Sequence, residues 1–227
     1  MRAVKLAGRF VAEKSGGKNR AGRDPSATIQ RILAAAREEF GANGFDGTKV
    51  EHIAKRAGVS KQLVYLYFNG KDELYSELLK LTSRATYEAL LKVEYEALEP
   101  ETAIRTYIEM IYDRYQADPF LAIVTLDQSL HAGAQIRLAP EAKRMREILW
   151  NKLDAVLAQG KTAGVFDQGA DIQSLEFMTV IIISGCVASR GMFARYVGHK
   201  IFDENPKFWR DYAVTFILRA LQKQAEQ

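Results

Sequence analysis

The sequence predicts an all-α protein with a small three-helix head near the N-terminus and a larger helical body. Three observations support this fold class. Five of the 227 residues are proline, so few positions interrupt a helix. Apolar residues recur at helical spacing in every segment beyond Pro100, and no segment alternates with the period of a strand. Hydrophobic residues make up 48% and charged residues 26%, a composition typical of a globular chain.

The first segment, residues 1–25, is predicted to be a flexible basic arm. It carries seven Lys or Arg residues against Glu13 and Asp24, and its centre is rich in glycine without an apolar period. Residues 1–80 carry 15 Lys or Arg and 9 Asp or Glu, whereas residues 81–227 carry 17 and 19. This distribution favours contact of the first part with a polyanion, although solvated termini also collect charge.

Two helices are predicted directly after the arm. The first begins near Ser26 with apolar residues at helical spacing and ends in the Gly-Ala-Asn-Gly stretch 41–44. Thr48 and Glu51 have the spacing of a capping box, which predicts that the Thr48 hydroxyl bonds the Glu51 amide at the start of the second helix. Gly58 ends that helix.

The next two helices are separated by Asn69-Gly70. Ser60 is a favourable N-cap for a short third helix over Lys61–Phe68. Lys71 opens a long fourth helix, with acidic residues in its first turn, that is predicted to reach about Glu96. Proline and glycine punctuation then predicts body helices at about 101–116, 119–132, 140–160, 171–198 and 206–224.

The second and third helices have the layout of a helix-turn-helix. Ala54 is small where two steeply packed helices meet, and Gly58 tolerates the positive φ of the turn. Apolar anchors for a miniature core stand at Ile53, Ala57, Val59 and Val64. In such a unit the second helix enters the DNA major groove.

The outward-facing side chains of this helix carry groups that can contact DNA bases and phosphates. Gln62 can bond adenine bidentately, Lys61 can bond guanine or a phosphate, and Leu63 can meet a thymine methyl. Tyr65 also faces outward, although it and Tyr67 could instead pack within a small bundle. The predicted DNA contacts are Thr48, Lys49, Ser60, Lys61, Gln62, Leu63, Tyr65, Tyr67 and Lys71, with Arg20 and Arg23 of the arm.

The run from Gly47 to Leu74 resembles the signature of the tetracycline-repressor (TetR/AcrR) family of transcriptional regulators, and the similarity extends over residues 28–76. The resemblance implies a DNA-binding domain at 26–70 and a ligand-binding and dimerisation domain at 71–227. The second domain resembles the family only in its helical architecture. Leu63 and Leu66 stand where family members often carry small or polar residues, so the base sequence of the operator cannot be inferred from that of a relative.

The resemblance also implies a ligand site and a dimer interface in the body. Aromatic residues at helical spacing could line a cavity or form plain core, and polar residues within an apolar helix could serve a ligand or face solvent. The candidate ligand residues are Tyr87, Tyr107, Tyr112, Asp127, Gln128, His131, Trp150 and Phe177. The last two long helices are apolar on most sides, which favours a partner copy. The candidate interface residues are Ile181, Gly185, Ser189, Phe193, Phe208, Tyr212 and Phe216.

Composition argues against several other classes of protein. One cysteine and three histidines disfavour a metal site, and no cofactor is expected. Cys186 lies in an apolar helix interior, where a thiol is unreactive, so an enzyme is not expected. The longest uncharged apolar run is the 13 residues Phe177–Ser189, short of the ~20 that span a membrane. A cytoplasmic protein is expected.

The sequence therefore predicts a sequence-specific DNA-binding regulator: a homodimeric repressor that a small-molecule ligand releases from a double-stranded DNA operator. A sequence-independent DNA-packing protein is the alternative, since it would also be basic and helical.

Deleting residues 1–22 tests the basic arm. Arg20 and Arg23 stand closest to the first helix and are expected to enter the minor groove beside the major-groove site. The deletion should lower affinity and reduce the slope of log K against log salt by about one for each phosphate that the arm neutralises. The melting temperature should hardly change. Equal salt slopes for truncated and full-length protein would identify the arm as a solvated tail.

Overall fold

A computed structural model describes residues 24–130, 140–197 and 207–222. The secondary-structure elements of these residues are helices, which confirms the all-α prediction. The contacts divide it into two compact units, a head up to Leu79 and a body from Lys80 onward. The division lies within the fourth helix, beyond the predicted boundary at 70/71.

The head contains three helices and the start of a fourth. Their bounds are α1 Pro25–Gly47, α2 Val50–Ala57, α3 Lys61–Phe68 and α4 Lys71–Leu90. α1 is longer than predicted because the chain kinks at Gly44 (φ 65°) and then resumes for three more residues. This extra turn buries Phe45, which lies 5.0 Å from the ring of Tyr75.

The predicted capping box at the start of α2 is wrong. Lys49 is the N-cap and makes no side-chain capping bond. The hydroxyl of Thr48 is buried and donates instead toward the carbonyl oxygens of Gly44 (2.7 Å) and Glu39 (3.1 Å). The hydroxyl therefore serves the end of α1 rather than the first turn of α2, and the buried Thr48 side chain is satisfied by these carbonyl groups.

α3 has the predicted bounds and caps. The Ser60 hydroxyl accepts a hydrogen bond from the Leu63 amide (3.2 Å), and Asn69 adopts the left-handed conformation with φ 51°. Gly58, at φ 65°, makes the predicted turn between α2 and α3. The cap and the turn therefore fix both ends of an eight-residue helix that would be marginal in isolation.

A buried carboxylate joins α1 to α2. Glu39 accepts a hydrogen bond from Nε of Arg56 at 2.7 Å and from the amide of Asn43 at 3.3 Å, and His52 lies 3.9 Å away. Arg56 also pairs with the exposed Glu38 at 2.6 Å. The Glu39 side chain is 8% exposed, whereas that of Glu38 is 63% exposed. Glu39 is therefore the buried partner of Arg56 and anchors α2 to α1.

The body contains the rest of α4 and six further α-helices within the described residues. These are α5 Pro100–Ala117, α6 Pro119–Leu130, α7 Pro140–Thr162, α8 Ile172–Ala188, α9 Arg190–Val197 and α10 Phe208–Leu221, with a 3-10 turn at Tyr95–Ala97. α5 lies at the centre and packs against α6, α7, α8 and α10. Its buried side chains, including Tyr107, Ile108 and Ile111, form the middle of the body core.

Two body helices end earlier than predicted. α4 stops at Leu90 rather than Glu96, because the following turn buries Tyr95 completely and directs its hydroxyl to Sδ of Met110 (3.8 Å). The helix predicted at 171–198 breaks at Ser189 into α8 and α9, bent by 56°.

At the end of α7, Gly160 allows the ring of Phe166 to lie against the backbone, since a Cβ there would be 2.1 Å from the ring.

Among the helices of the described ranges, none is by itself long and apolar enough to cross a membrane, although the bent α8–α9 pair has a sufficiently apolar composition.

Replacing each of the two carboxylates that pair with Arg56 tests whether the buried one contributes more to the free energy of unfolding than the exposed one. Glu39→Ala should lower the free energy of unfolding by about 1–3 kcal/mol, because Arg56 and Asn43 lose a buried acceptor. Glu38→Ala removes an exposed partner of the same arginine and should cost less than about 0.5 kcal/mol. Urea unfolding measures both, and equal decreases in the free energy of unfolding would contradict the anchoring role of Glu39.

Candidate nucleic-acid interface

α3 buries one side and exposes the other. Val64 and Phe68 are 0% and 1% exposed, and they hold the helix on the head. Lys61, Gln62 and Tyr65 are exposed, as the helical spacing predicts. The head therefore presents one amide, one cation and one phenol from a single helix face, a set suited to base edges and phosphates.

Lys61 and Glu51 form an ion pair that bridges α2 and α3. The hydrogen bond from Lys61 lowers the pKa of the Glu51 carboxyl, and the same bond raises the pKa of the Lys61 ammonium. Lys61 also lies 5.7 Å from the centre of the Tyr65 ring. Both charges are exposed to solvent, so phosphate can compete for Lys61.

Four other predicted DNA contacts are accessible to different degrees. Lys49 and Ser60 are exposed at the N-termini of α2 and α3, where backbone N–H groups favour anions. Leu63 and Tyr67 are half-buried on the flanks of α3. Arg20 and Arg23 lie outside the described residues.

Two of the predicted contacts have hydrogen-bond partners within the head, and the structure corrects one of them, Thr48. Thr48 is 2% exposed, and its hydroxyl is directed to the carbonyl groups of α1, so it is not available to a phosphate. Lys71 donates to the carbonyl oxygen of Phe45 (2.8 Å) and lies 4.3 Å from the centre of that ring. These contacts tie the start of α4 to the end of α1, and Lys71 stays a predicted phosphate contact.

Sequence reasoning left Leu66 out of the predicted contacts. Its side chain is 73% exposed, more than that of Tyr65 at 44%. Leu66 is one helical turn beyond Gln62 and two residues from both Val64 and Phe68, so the helical period alone places it on the outer face.

The body interior contains a group of polar and aromatic side chains. Burial raises the pKa of the Glu176 carboxyl, while the indole N–H of Trp150 and the charge of Arg146 oppose the increase. Arg146 also lies 4.9 Å from the centre of the Trp150 ring. Burial, and after it the Glu176 charge, raises the pKa of both Tyr87 and Tyr107. These five residues, the interior cluster, therefore lie close together.

Sequence reasoning missed two further buried residues: Tyr115, which borders the interior cluster, and Thr179, which lies one helical turn after Glu176 on α8. The Tyr115 hydroxyl lies 2.9 Å from that of Thr125, and burial raises the Tyr115 pKa. The hydroxyl of Thr179 is fully buried and, like Nε of Arg146, has no hydrogen-bond partner in the part of the chain that the structure describes. A charged residue in an apolar helix, Glu176 in α8, was the available sequence signal.

The remaining ligand candidates are dispersed. Tyr112 is buried near Cys186 and Arg190, and Asp127 and Gln128 lie on α6. Phe177, predicted to line the cavity, is 64% exposed on the outer side of α8, which corrects that assignment. His131 lies outside the described residues.

The outer side of α8, α9 and α10 carries a patch of exposed apolar side chains. Of the predicted interface residues, Gly185 and Ser189 are half-buried, and the large ones are at least 36% exposed: Ile181, Phe193, Phe208, Tyr212 and Phe216. Tyr196 is 81% exposed. Several large apolar side chains exposed on neighbouring helices are typical of a protein interface.

Comparisons with known proteins agree with this organisation. The family "Bacterial regulatory proteins, tetR family" matches residues 32–78, and "Tetracyclin repressor-like, C-terminal domain" matches residues 100–217. The HTH-type transcriptional repressor NicS of Pseudomonas putida is 23% identical over 197 residues, 86% of this chain and 93% of that protein. The HTH-type transcriptional repressor SCO4008 of Streptomyces coelicolor is 28% identical over 178 residues, 78% of this chain and 88% of that protein.

A solved structure shares the fold. The transcriptional regulator FadR of Bacillus subtilis, in complex with stearoyl-CoA, superposes with a TM-score of 0.58 at 23% identity, covering 87% of this chain and 99% of that one. The two family matches together span the head and most of the body, and the outward face of α3 has the chemistry that DNA requires. The chain belongs to the TetR family of DNA-binding transcriptional regulators.

Proposed function

We propose that this chain acts as a homodimeric repressor that reads an operator with α3 of each copy and is released by a small-molecule effector bound inside the body. The exposed face of α3 carries the proposal, because Lys61, Gln62 and Tyr65 project from a helix that Val64 and Phe68 hold in place. Action on a bacterial operator implies a cytoplasmic protein.

Repression is supported by the relatives, since NicS and SCO4008 are both named as repressors. The alternative, sequence-independent DNA packing, is not favoured. It would make no use of an outward amide such as Gln62, which discriminates adenine from other bases.

The effector site is proposed at the interior cluster. A buried Arg146 Nε and a buried Thr179 hydroxyl without partners among the described residues would each gain a hydrogen bond from a polar ligand. Tyr87 and Tyr107 would add aromatic contact area. The similar FadR was solved in complex with stearoyl-CoA, which supports effector binding in this fold.

Coupling between effector and DNA is proposed to run through α4. This helix contributes Lys71, bonded to Phe45, to the head and Tyr87 to the interior cluster of the body. A ligand that displaces Tyr87 would therefore act on the same continuous helix whose first residue is fixed to the end of α1.

Base preference is the direct test of DNA reading. Gln62→Ala should relax preference at one position in each half-site and cost about 1–3 kcal/mol on the preferred sequence, because alanine cannot make the two hydrogen bonds of the amide. Lys49→Ala is the matched control: removal of an exposed cation should weaken binding to all sequences alike. Selection from a randomised duplex library measures both. An unchanged preference for Gln62→Ala would contradict the assignment, and no preference in the unaltered protein would support DNA packing.

The apolar patch is tested by placing a charge on it. Phe216→Glu should give a monomer with low operator affinity, because an unpaired carboxylate would be buried between copies and a single head makes half the contacts. Ile148→Glu is the matched control, since Ile148 is similarly exposed, at 44% against 54%, on α7 outside the patch. Light scattering gives the masses. Dimers of the Phe216 variant, or monomers of both variants, would argue against this interface.

A further inference from the structure

Among the head residues that the structure describes, the large exposed apolar side chains lie on one helix. Within residues 24–79, two large apolar side chains are exposed, and both belong to α3: Tyr65 at 44% and Leu66 at 73%. Tyr65 has a hydroxyl and a neighbouring Lys61 ammonium. Leu66 has neither, and its exposure excludes a packing role in the head.

The position of Leu66 aims it at the same surface as Gln62. Val64 and Phe68, both buried, are each two residues from Leu66, and at about 100° per residue this puts Leu66 on the opposite side of the helix. Gln62 is exposed and precedes Leu66 by four residues, so the two side chains are neighbours on the helix surface.

A leucine on this surface can recognise one feature of DNA. It makes no hydrogen bonds, and among the base edges of the major groove the C5-methyl of thymine is the apolar group. One helical turn rises about 5.4 Å, while base pairs are about 3.4 Å apart. The group met by Leu66 would therefore lie within about two base pairs of the base met by Gln62.

We infer that Leu66 is a specificity-determining residue that selects a thymine by contact with its C5-methyl group. This inference rests on the proposed function, because it requires α3 to occupy the major groove. Together with Gln62, it gives each half-site an adenine preference and a nearby thymine preference from adjacent side chains. Exchange of thymine for cytosine removes both the methyl group and the matching acceptor, so the two effects need separate tests.

Deoxyuridine separates the effect of the methyl group from that of the hydrogen-bond acceptor, because its base differs from thymine by the methyl group alone. The probe is the duplex enriched from the randomised library, with each thymine of the half-site replaced in turn by deoxyuridine. The full-length protein should lose affinity about four-fold per half-site at one thymine, near the position that Gln62→Ala relaxes. Leu66→Ala should bind equally the two duplexes that carry thymine or deoxyuridine at that one position, whereas a thymine met by Leu63 would be unaffected by this substitution. Leu66→Met, which keeps an apolar contact, should still discriminate.

Gln62→Ala is the control for a general weakening of the α3–DNA interface, and it should keep the thymine-over-deoxyuridine preference. Melting curves should be unchanged for Leu66→Ala, since the side chain is mostly exposed. If the unaltered protein tolerates deoxyuridine at every position, or if Leu66→Ala still discriminates, the inference is overturned while the proposed function stands. If no duplex is enriched at all, the proposed function itself fails.

Discussion

The placement of α2 against α1 depends on one buried carboxylate, that of Glu39. Its side chain accepts the hydrogen bond of Arg56 near the end of α2, and its carbonyl oxygen receives the Thr48 hydroxyl just before α2 begins. The same residue of α1 thus holds α2 at both ends. α2 is followed by the Gly58 turn and α3, so the placement of α2 and the burial of Val64 and Phe68 together position the helix that carries Gln62 and Leu66. A buried acceptor that serves several donors gives one geometry rather than many.

The body uses its polar groups differently. Within the residues described, Glu176, Arg146 and Trp150 form a charged and aromatic group inside a helical core, and Tyr87 and Tyr107 lie beside it. Burial of such groups costs stability unless each is paired, so a protein selected for stability alone would fill this space with apolar residues. The interior cluster and the exposed apolar side chains of α8–α10 are the features of the described body on which the proposed effector site and the proposed dimer interface rest.

The sequence predicted the elements of the head well because helix caps and turns are local. Ser60, Gly58 and Asn69 act where their residue types favour, and the bounds of α3 follow from them. Thr48 was misassigned because its hydroxyl has a favourable local role as an N-cap, whereas the carbonyl groups of α1 are its partners in the fold. Three members of the interior cluster, Tyr87, Tyr107 and Trp150, were ligand candidates because each is an aromatic residue at helical spacing within its own helix. Glu176 and Arg146 could not be paired without knowing that α7 packs on α8.

The central claim is that α3 enters the major groove with Gln62 at a base edge, and a crystal structure of the full chain on its selected duplex tests this most directly. The account predicts one α3 in each of two successive major grooves, the Gln62 amide within hydrogen-bonding distance of an adenine, and Lys71 still bonded to the carbonyl of Phe45. A complex in which α3 faces solvent while another surface holds the DNA would contradict it.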